Sequence, residues 1–218
     1  DGNDSSEAEP KHLFRDAGTF IVRLTVTKGE LSAAAETTIS VQPGEAGWGG
    51  IGGGVESISS FHATQFTVSA FDTLGNPIAE PEFNWHAGPA AGEIDETGLF
   101  TAGAILGNFA DAVSVEFERL GVTVGQKVEI TVVAGPMHAI SIEPTEMEIG
   151  VGRELSISVR AVDEAGHELD STLILFTALR EGDSVDSAGI FTAGKVATDE
   201  NSELLTVEVE HKDQVIEM

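Results

Sequence analysis

Asp95-Glu96-Thr97-Gly98-Leu99-Phe100-Thr101-Ala102-Gly103 recurs further along the chain as Asp186-Ser187-Ala188-Gly189-Ile190-Phe191-Thr192-Ala193-Gly194. The two stretches stand 91 positions apart, as do Phe71-Asp72-Thr73-Leu74-Gly75 and Val162-Asp163-Glu164-Ala165-Gly166. Trp85 falls on Phe176 at the same separation. One extra residue in the following loop then brings Val113, Val115 and Phe117 onto Leu205, Val207 and Val209. A separation this constant marks two tandem copies of one unit.

Within and before those copies the apolar residues alternate. Phe20, Val22, Leu24 and Val26 are interleaved with Ile21, Arg23 and Thr25, and Ala33, Ala35, Thr37, Ile39 and Val41 repeat the pattern after Lys28-Gly29-Glu30. Successive strand side chains point to opposite faces, so period-two alternation reads as strands with one buried face, here joined in a hairpin. Phe66–Phe71, Ala112–Glu118, Val128–Val133, Leu155–Val162 and Leu204–Glu210 read the same way. No stretch shows helical periodicity. Short strands separated by turn signals predict an all-β chain of tandem immunoglobulin-like β-sandwich domains.

The expected organisation is a partial sandwich over residues 1–42, a linker over 43–54, copy one over 55–135 and copy two over 136–218. Gly47-Trp48-Gly49-Gly50-Ile51-Gly52-Gly53-Gly54 carries six glycines in eight residues, which predicts a flexible linker interrupted by Trp48 and Ile51. Met137–Gly152 supplies copy two with an opening strand. Copy one has only Val55–Gln65 there, which predicts a shortened first strand. Copy two is expected to lack its last strand. Asp1 falls inside a motif and Met218 inside a strand pattern, so the chain reads as a piece of a longer one.

Two family resemblances rest on these residues. The Asp-x-x-Gly-x-x-Phe-Thr-Ala-Gly signature, preceded by a strand ending in Asp-x-x-Gly, resembles the group 2 bacterial immunoglobulin-like domains, the tandem modules of intimin- and invasin-type adhesins. It covers about Val55–Met218. Asp1-Gly2-Asn3, Pro10-Lys11-His12-Leu13-Phe14 and Ala17-Gly18-Thr19-Phe20-Ile21-Val22-Arg23-Leu24-Thr25-Val26 resemble the second half of a PKD (polycystic kidney disease) domain. Both resemblances imply β-sandwich spacer or adhesion modules that are secreted or displayed on a cell surface.

Composition narrows the function classes. Thirty-seven Asp and Glu against 11 Lys and Arg leave a net charge of −26 in 218 residues. Such a surface repels phosphate backbones and disfavours nucleic acid. No apolar run approaches the roughly 20 residues of a spanning helix. With no cysteine, disulfides, thiolate catalysis and cysteine zinc sites are excluded.

Asp72, Asp163, Asp95 and Asp186 each precede a glycine by three positions, which predicts turns closed by side-chain acceptance of backbone amides. Calcium would require six to eight oxygens, and no Asp-x-Asp-x-Asp-Gly loop is present. His12, His62, His86, His138, His167 and His211 form no His-x-His or His-Glu-x-x-His pattern. There is no Gly-x-Ser-x-Gly elbow and no phosphate loop. No catalytic, cofactor-binding or metal-binding residue is therefore assigned, and no cofactor is expected. Trp85 reads as core and Trp48 as a contact between domains, with sugar stacking as an alternative. The expected function is non-catalytic, a structural or adhesive spacer in a larger prokaryotic surface protein. The alternative is a carbohydrate-binding accessory region of a secreted hydrolase. Expected partners are neighbouring domains of the same parent chain and, outward, a surface protein or polysaccharide.

Overall fold

The computed structural model describes residues 2–170, 172–195, 203–212 and 214–217. The singled-out ends, Asp1 and Met218, lie outside the described residues. The expected all-β architecture holds: among the described residues every regular element is a strand.

The first two strands, β1 (Gly18–Lys28) and β2 (Leu31–Val41), form an antiparallel hairpin from Gly18↔Val41 to Lys28↔Leu31. Its alternating row Val22, Leu24 and Val26 remains exposed.

Copy one runs through β3 (Ala46–Gly53), β4 (Ser57–Ser59), β5 (Ala63–Asp72), β6 (Phe83–Ala87), β7 (Gly92–Ile94), β8 (Leu99–Ala102), β9 (Gly107–Arg119) and β10 (Val122–Val133). One sheet has the order β3-β5-β8-β7 and the other β4-β10-β9-β6. Pairing is antiparallel except where β4 lies parallel to β10. Copy two repeats the plan with β11 (Ala139–Glu143), β12 (Glu154–Ser156), β13 (Ser158–Val162), β14 (Leu173–Ala178), β15 (Ser184–Val185), β16 (Ile190–Thr192), β17 (Leu205–His211) and β18 (Gln214–Glu217). Its ladders are β11-β13, β12-β16-β15 and β14-β17-β18.

Three expectations about the copies need correction. The glycine run is not a free linker, because most of it is β3, paired with β5 from Ala46↔Asp72 to Gly53↔Phe66. Close approach demands glycine there. The pairing shifts by one residue between Ala46 and Trp48, and a Cβ on Gly47 would stand 2.5 Å from the backbone of Asp72. Copy one is accordingly not shortened at its start. The separation of 91 continues through the run and sets Ile51 on Ile142 and Ile58 on Ile149. Nor does copy two lack its closing strand altogether, since β18 pairs with β17 through Glu208↔Glu217 and His211↔Gln214.

The signature explains how each sandwich is plugged. Phe100 and Phe191 are fully buried, as expected, together with Val115, Phe117 and Val207. Phe71, Val162, Trp85 and Phe176 are only half-buried, a correction to their reading as full core. Trp85 still packs against the core built on Phe66, Phe100, Val113 and Ile130. Its ring lies over Gly98, where a Cβ would approach it to 2.9 Å, and Phe176 covers Gly189 at 3.1 Å in the same way. Both glycines also have positive φ, 83° and 78°. The motif's glycine thus serves turn geometry and aromatic packing together.

Trp85→Ala should destabilise copy one by about 3 kcal/mol, at the low end for truncating a large aromatic. Denaturant melts check this, and a loss below about 1 kcal/mol would make the ring a surface ornament.

Candidate functional site

The functional geometry concentrates where one unit meets the next. Asp72 is the last residue of β5 and Asp163 directly follows β13, and both side chains are fully buried. Each makes the turn that the sequence predicts. Oδ1 of Asp72 accepts from the amides of Leu74 and Asn76, both at 2.8 Å, and Oδ1 of Asp163 accepts from the amide of His167 at 2.8 Å. Asp95 and Asp186 close their turns alike, Asp95 on the amides of Thr97 and Leu99, Asp186 on those of Ala188 and Ile190.

The second oxygen of the two buried aspartates does something the sequence reading missed. Oδ2 of Asp72 accepts from the Gly44 amide at 2.8 Å, and Oδ2 of Asp163 accepts from the Gly135 amide at 2.8 Å. Gly44 and Gly135 belong to the segments that enter copy one and copy two, and they too are 91 positions apart. One carboxylate therefore folds its own turn and clasps the chain arriving from the preceding unit.

Auxiliary groups extend each clasp to that preceding unit. At the first junction Asn76 donates from Nδ2 to Oδ2 of Asp72 and to the Arg15 carbonyl, both at 2.9 Å, and accepts from the Ala17 amide at 2.8 Å. The Arg119 guanidinium donates to the carbonyls of Pro43 and Gly44. At the second junction the Ser60 hydroxyl of copy one donates 2.9 Å across to Oδ2 of Asp163. Nδ1 of His167, the counterpart of Asn76, lies 2.9 Å from the same oxygen and donates to it. Gln214 holds Met137 of the entering segment through both its amide and its carbonyl.

The electrostatics follow from this donor set. Burial pushes the Asp72 carboxyl up, but hydrogen bonds from the Asn76 side chain and the amides of Gly44, Asn76 and Leu74 outweigh it. They hold the group at about 2 against an ordinary 3.8. Asp163 is likewise driven below the usual carboxylate range. Its burial is more than offset by the His167 ring, the amides of Gly135 and His167, and the Ser60 hydroxyl. Donors converge on these oxygens, and a cation would have to displace them. Among the described residues no group of three or more His, Asp or Glu side chains gathers to hold a metal ion. Of the histidines, His12 packs edge-on against Phe14 and His211 is buried in copy two.

Trp48, expected between domains, stacks on Phe71 on the outer face of copy one, with half its surface in solvent. No helix among the described residues is long and apolar enough to cross a membrane.

No protein-family model matches the chain, and no curated protein matches it. Solved structures do. The Escherichia coli adhesin FdeC is 16% identical, matched over 91% of this chain and 70% of its own, with a TM-score of 0.51. Human protocadherin-24 EC1-2 is 11% identical over 81% of this chain and 93% of its own, with a TM-score of 0.42. Domains 4–9 of the surface layer protein SbsC are 16% identical over 92% of this chain and 34% of theirs, with a TM-score of 0.33. The likeness to FdeC at this identity is one of fold: the chain is an array of tandem immunoglobulin-like β-sandwiches.

Asp163→Ala should cost copy two about 2–4 kcal/mol, because it strands several buried donors at once. Ser60→Ala should cost only about 1 kcal/mol, since the turn and the Gly135 clasp survive it. Chemical denaturation of the two variants separates these effects, and equal losses would contradict the division of labour. Acid should loosen both junctions. A folded-state value depressed below the unfolded one contributes stability in full above about pH 4, and that contribution fades as pH falls toward about 2. For Asp72 this window lies between 3.8 and about 2, and Asp163, also lowered, fades on the same side. Melting followed from pH 5 to pH 2 should show a shallower acid slope in Asp72→Asn than in the native chain.

Proposed function

We propose that this chain is a non-catalytic spacer: a jointed, adhesive or structural stalk segment of a larger secreted or cell-surface prokaryotic protein. In this reading the two copies, running from β3 to β10 and from β11 to β18, are bacterial immunoglobulin-like domains of the group 2 kind, and residues 1–42 belong to a PKD-like domain. The neighbouring domains of the parent chain are its constant partners.

The observation that carries the reading is the repeated clasp. A module whose only task is to fold does not need to bond to the unit before it. Here the Asn76 side chain of copy one bonds the backbone of Arg15 and Ala17, and the Ser60 hydroxyl of copy one bonds Asp163 of copy two. Interfaces within a chain are ordinarily loose enough for relative domain motion. The buried, charge-assisted bond from Ser60 to Asp163 at the second joint and the paired Asn76 side-chain bonds at the first oppose that motion, and they suit a part that holds something at a set distance. The fold shared with an adhesin and the secreted character of both resembled families point the same way.

Small-angle scattering tests the stiffness on which a spacer depends. The native chain should give one sharply defined maximum dimension. Combining Asn76→Ala with Ser60→Ala should broaden the distance distribution while leaving circular dichroism unchanged. Superimposable profiles would mean that the joints are not what sets the shape.

A further inference from the structure

We propose that the Trp48–Phe71 stack on copy one is a platform for a pyranose ring, and that the ligand class is a neutral oligo- or polysaccharide. Trp48 on β3 lies directly opposite Phe71 on β5. Their rings are parallel to within 12° with centroids 4.1 Å apart, and Trp48 is 50% exposed. Phe71 props one face of the indole. β3 is the edge strand of its sheet, so no further strand of that sheet lies beyond the indole.

The repeat supplies an internal control. At the same two positions copy two carries Ala139 and Val162, paired in the same antiparallel ladder. The sandwich therefore does not require an aromatic pair there. Nor does the junction, whose bonds run through Asp72, Asn76 and Arg119. A large, half-exposed apolar ring that neither fold nor joint requires points to a contact outside the chain.

The surroundings select the kind of contact. Positions 50 and 52, which share the outer face of β3 with Trp48, are glycines, where copy two has Ser141 and Glu143. A Cβ on Gly50 would stand 3.9 Å from the indole, so its absence leaves the ring and the strand backbone open. Opposite these glycines stand the exposed residues Ser69 and Thr67, each with a hydroxyl. An edge strand also offers unpaired N–H and C=O groups. A flat π surface beside hydroxyls and bare backbone complements a sugar ring, which has an apolar C–H face and a rim of hydroxyls. A peptide strand on the same edge would find no side chains at 50 and 52 to pair with. The net charge of −26 turns away uronic and sulfated polymers and leaves neutral ones. This inference is independent of the spacer reading, which holds with or without a sugar site.

The chain has two tryptophans, so intrinsic emission reports on the site. The full chain is titrated with cellohexaose, chitohexaose and mannohexaose, with calorimetry in parallel. The expected result is a saturable change in emission with at least one sugar, kept in Trp85→Phe and weakened about tenfold or more in Trp48→Ala. Trp48→Ala should stay folded, because copy two builds the same ladder on Ala139. Three results would each overturn the proposal. One is no saturable response to any of the three sugars by either method. Another is unchanged affinity in Trp48→Ala. The third is native self-association in sedimentation that Trp48→Ala abolishes, which would make the patch a contact between copies.

Discussion

A buried carboxylate that hydrogen bonds must satisfy is the constraint from which the arrangement of this chain follows. Asp72 and Asp163 are both about 1% exposed, and taking such a charge out of water is unfavourable unless hydrogen bonds replace its hydration. Within the turn, backbone amides satisfy one oxygen and the side chain of Asn76 or His167 reaches the other. The amide of Gly44 or Gly135 adds a further donor to that second oxygen, so docking of the incoming segment strengthens a turn already formed. That segment belongs physically to the sandwich it enters, whatever unit precedes it in sequence.

The same coupling explains what could and could not be read from the residues. Alternation and the constant separation made the strands and the tandem copies legible, because both depend on side-chain order along the chain. The turn role of Asp72 was legible because its partners Leu74 and Asn76 are two and four positions away. Its grip on Gly44 was not, since that amide lies 28 positions upstream and nothing local announces it. The glycine run misled for another reason. Composition reports how free a backbone could be, and it is silent on whether another backbone presses against it. Gly47 and Gly49 are glycines because Asp72, Ser69 and the Phe117 ring come close. The signal that could have corrected the reading was present: carried through the run, the separation of 91 sets Ala46 on Met137, and both are buried.

Where the copies differ, they differ around a fixed anchor. Asp72 and Asp163 are the same residue doing the same thing, while Asn76 is replaced by His167 and Arg119 by His211. The first joint reaches backward through Asn76 to the backbone of Arg15 and Ala17. The second is reached forward by Ser60 from the preceding copy. A conserved acceptor with exchangeable donors lets each joint be fitted to its own neighbour without rebuilding the turn.

The chemistry of those donors also reconciles the joints with the surface charge. A net charge of −26 makes neighbouring units repel one another, and the ion pairs Arg23–Glu36 and Lys127–Asp111 are exposed, where such pairs contribute little. Had the joints been held by surface ion pairs, salt would have weakened the attraction and the repulsion together. Around the buried carboxylates the clasps use backbone amides, a serine hydroxyl, an asparagine side chain and the His167 ring, and the Arg119 guanidinium binds neutral carbonyls beside the first. Screening acts on the exposed carboxylates and barely on these.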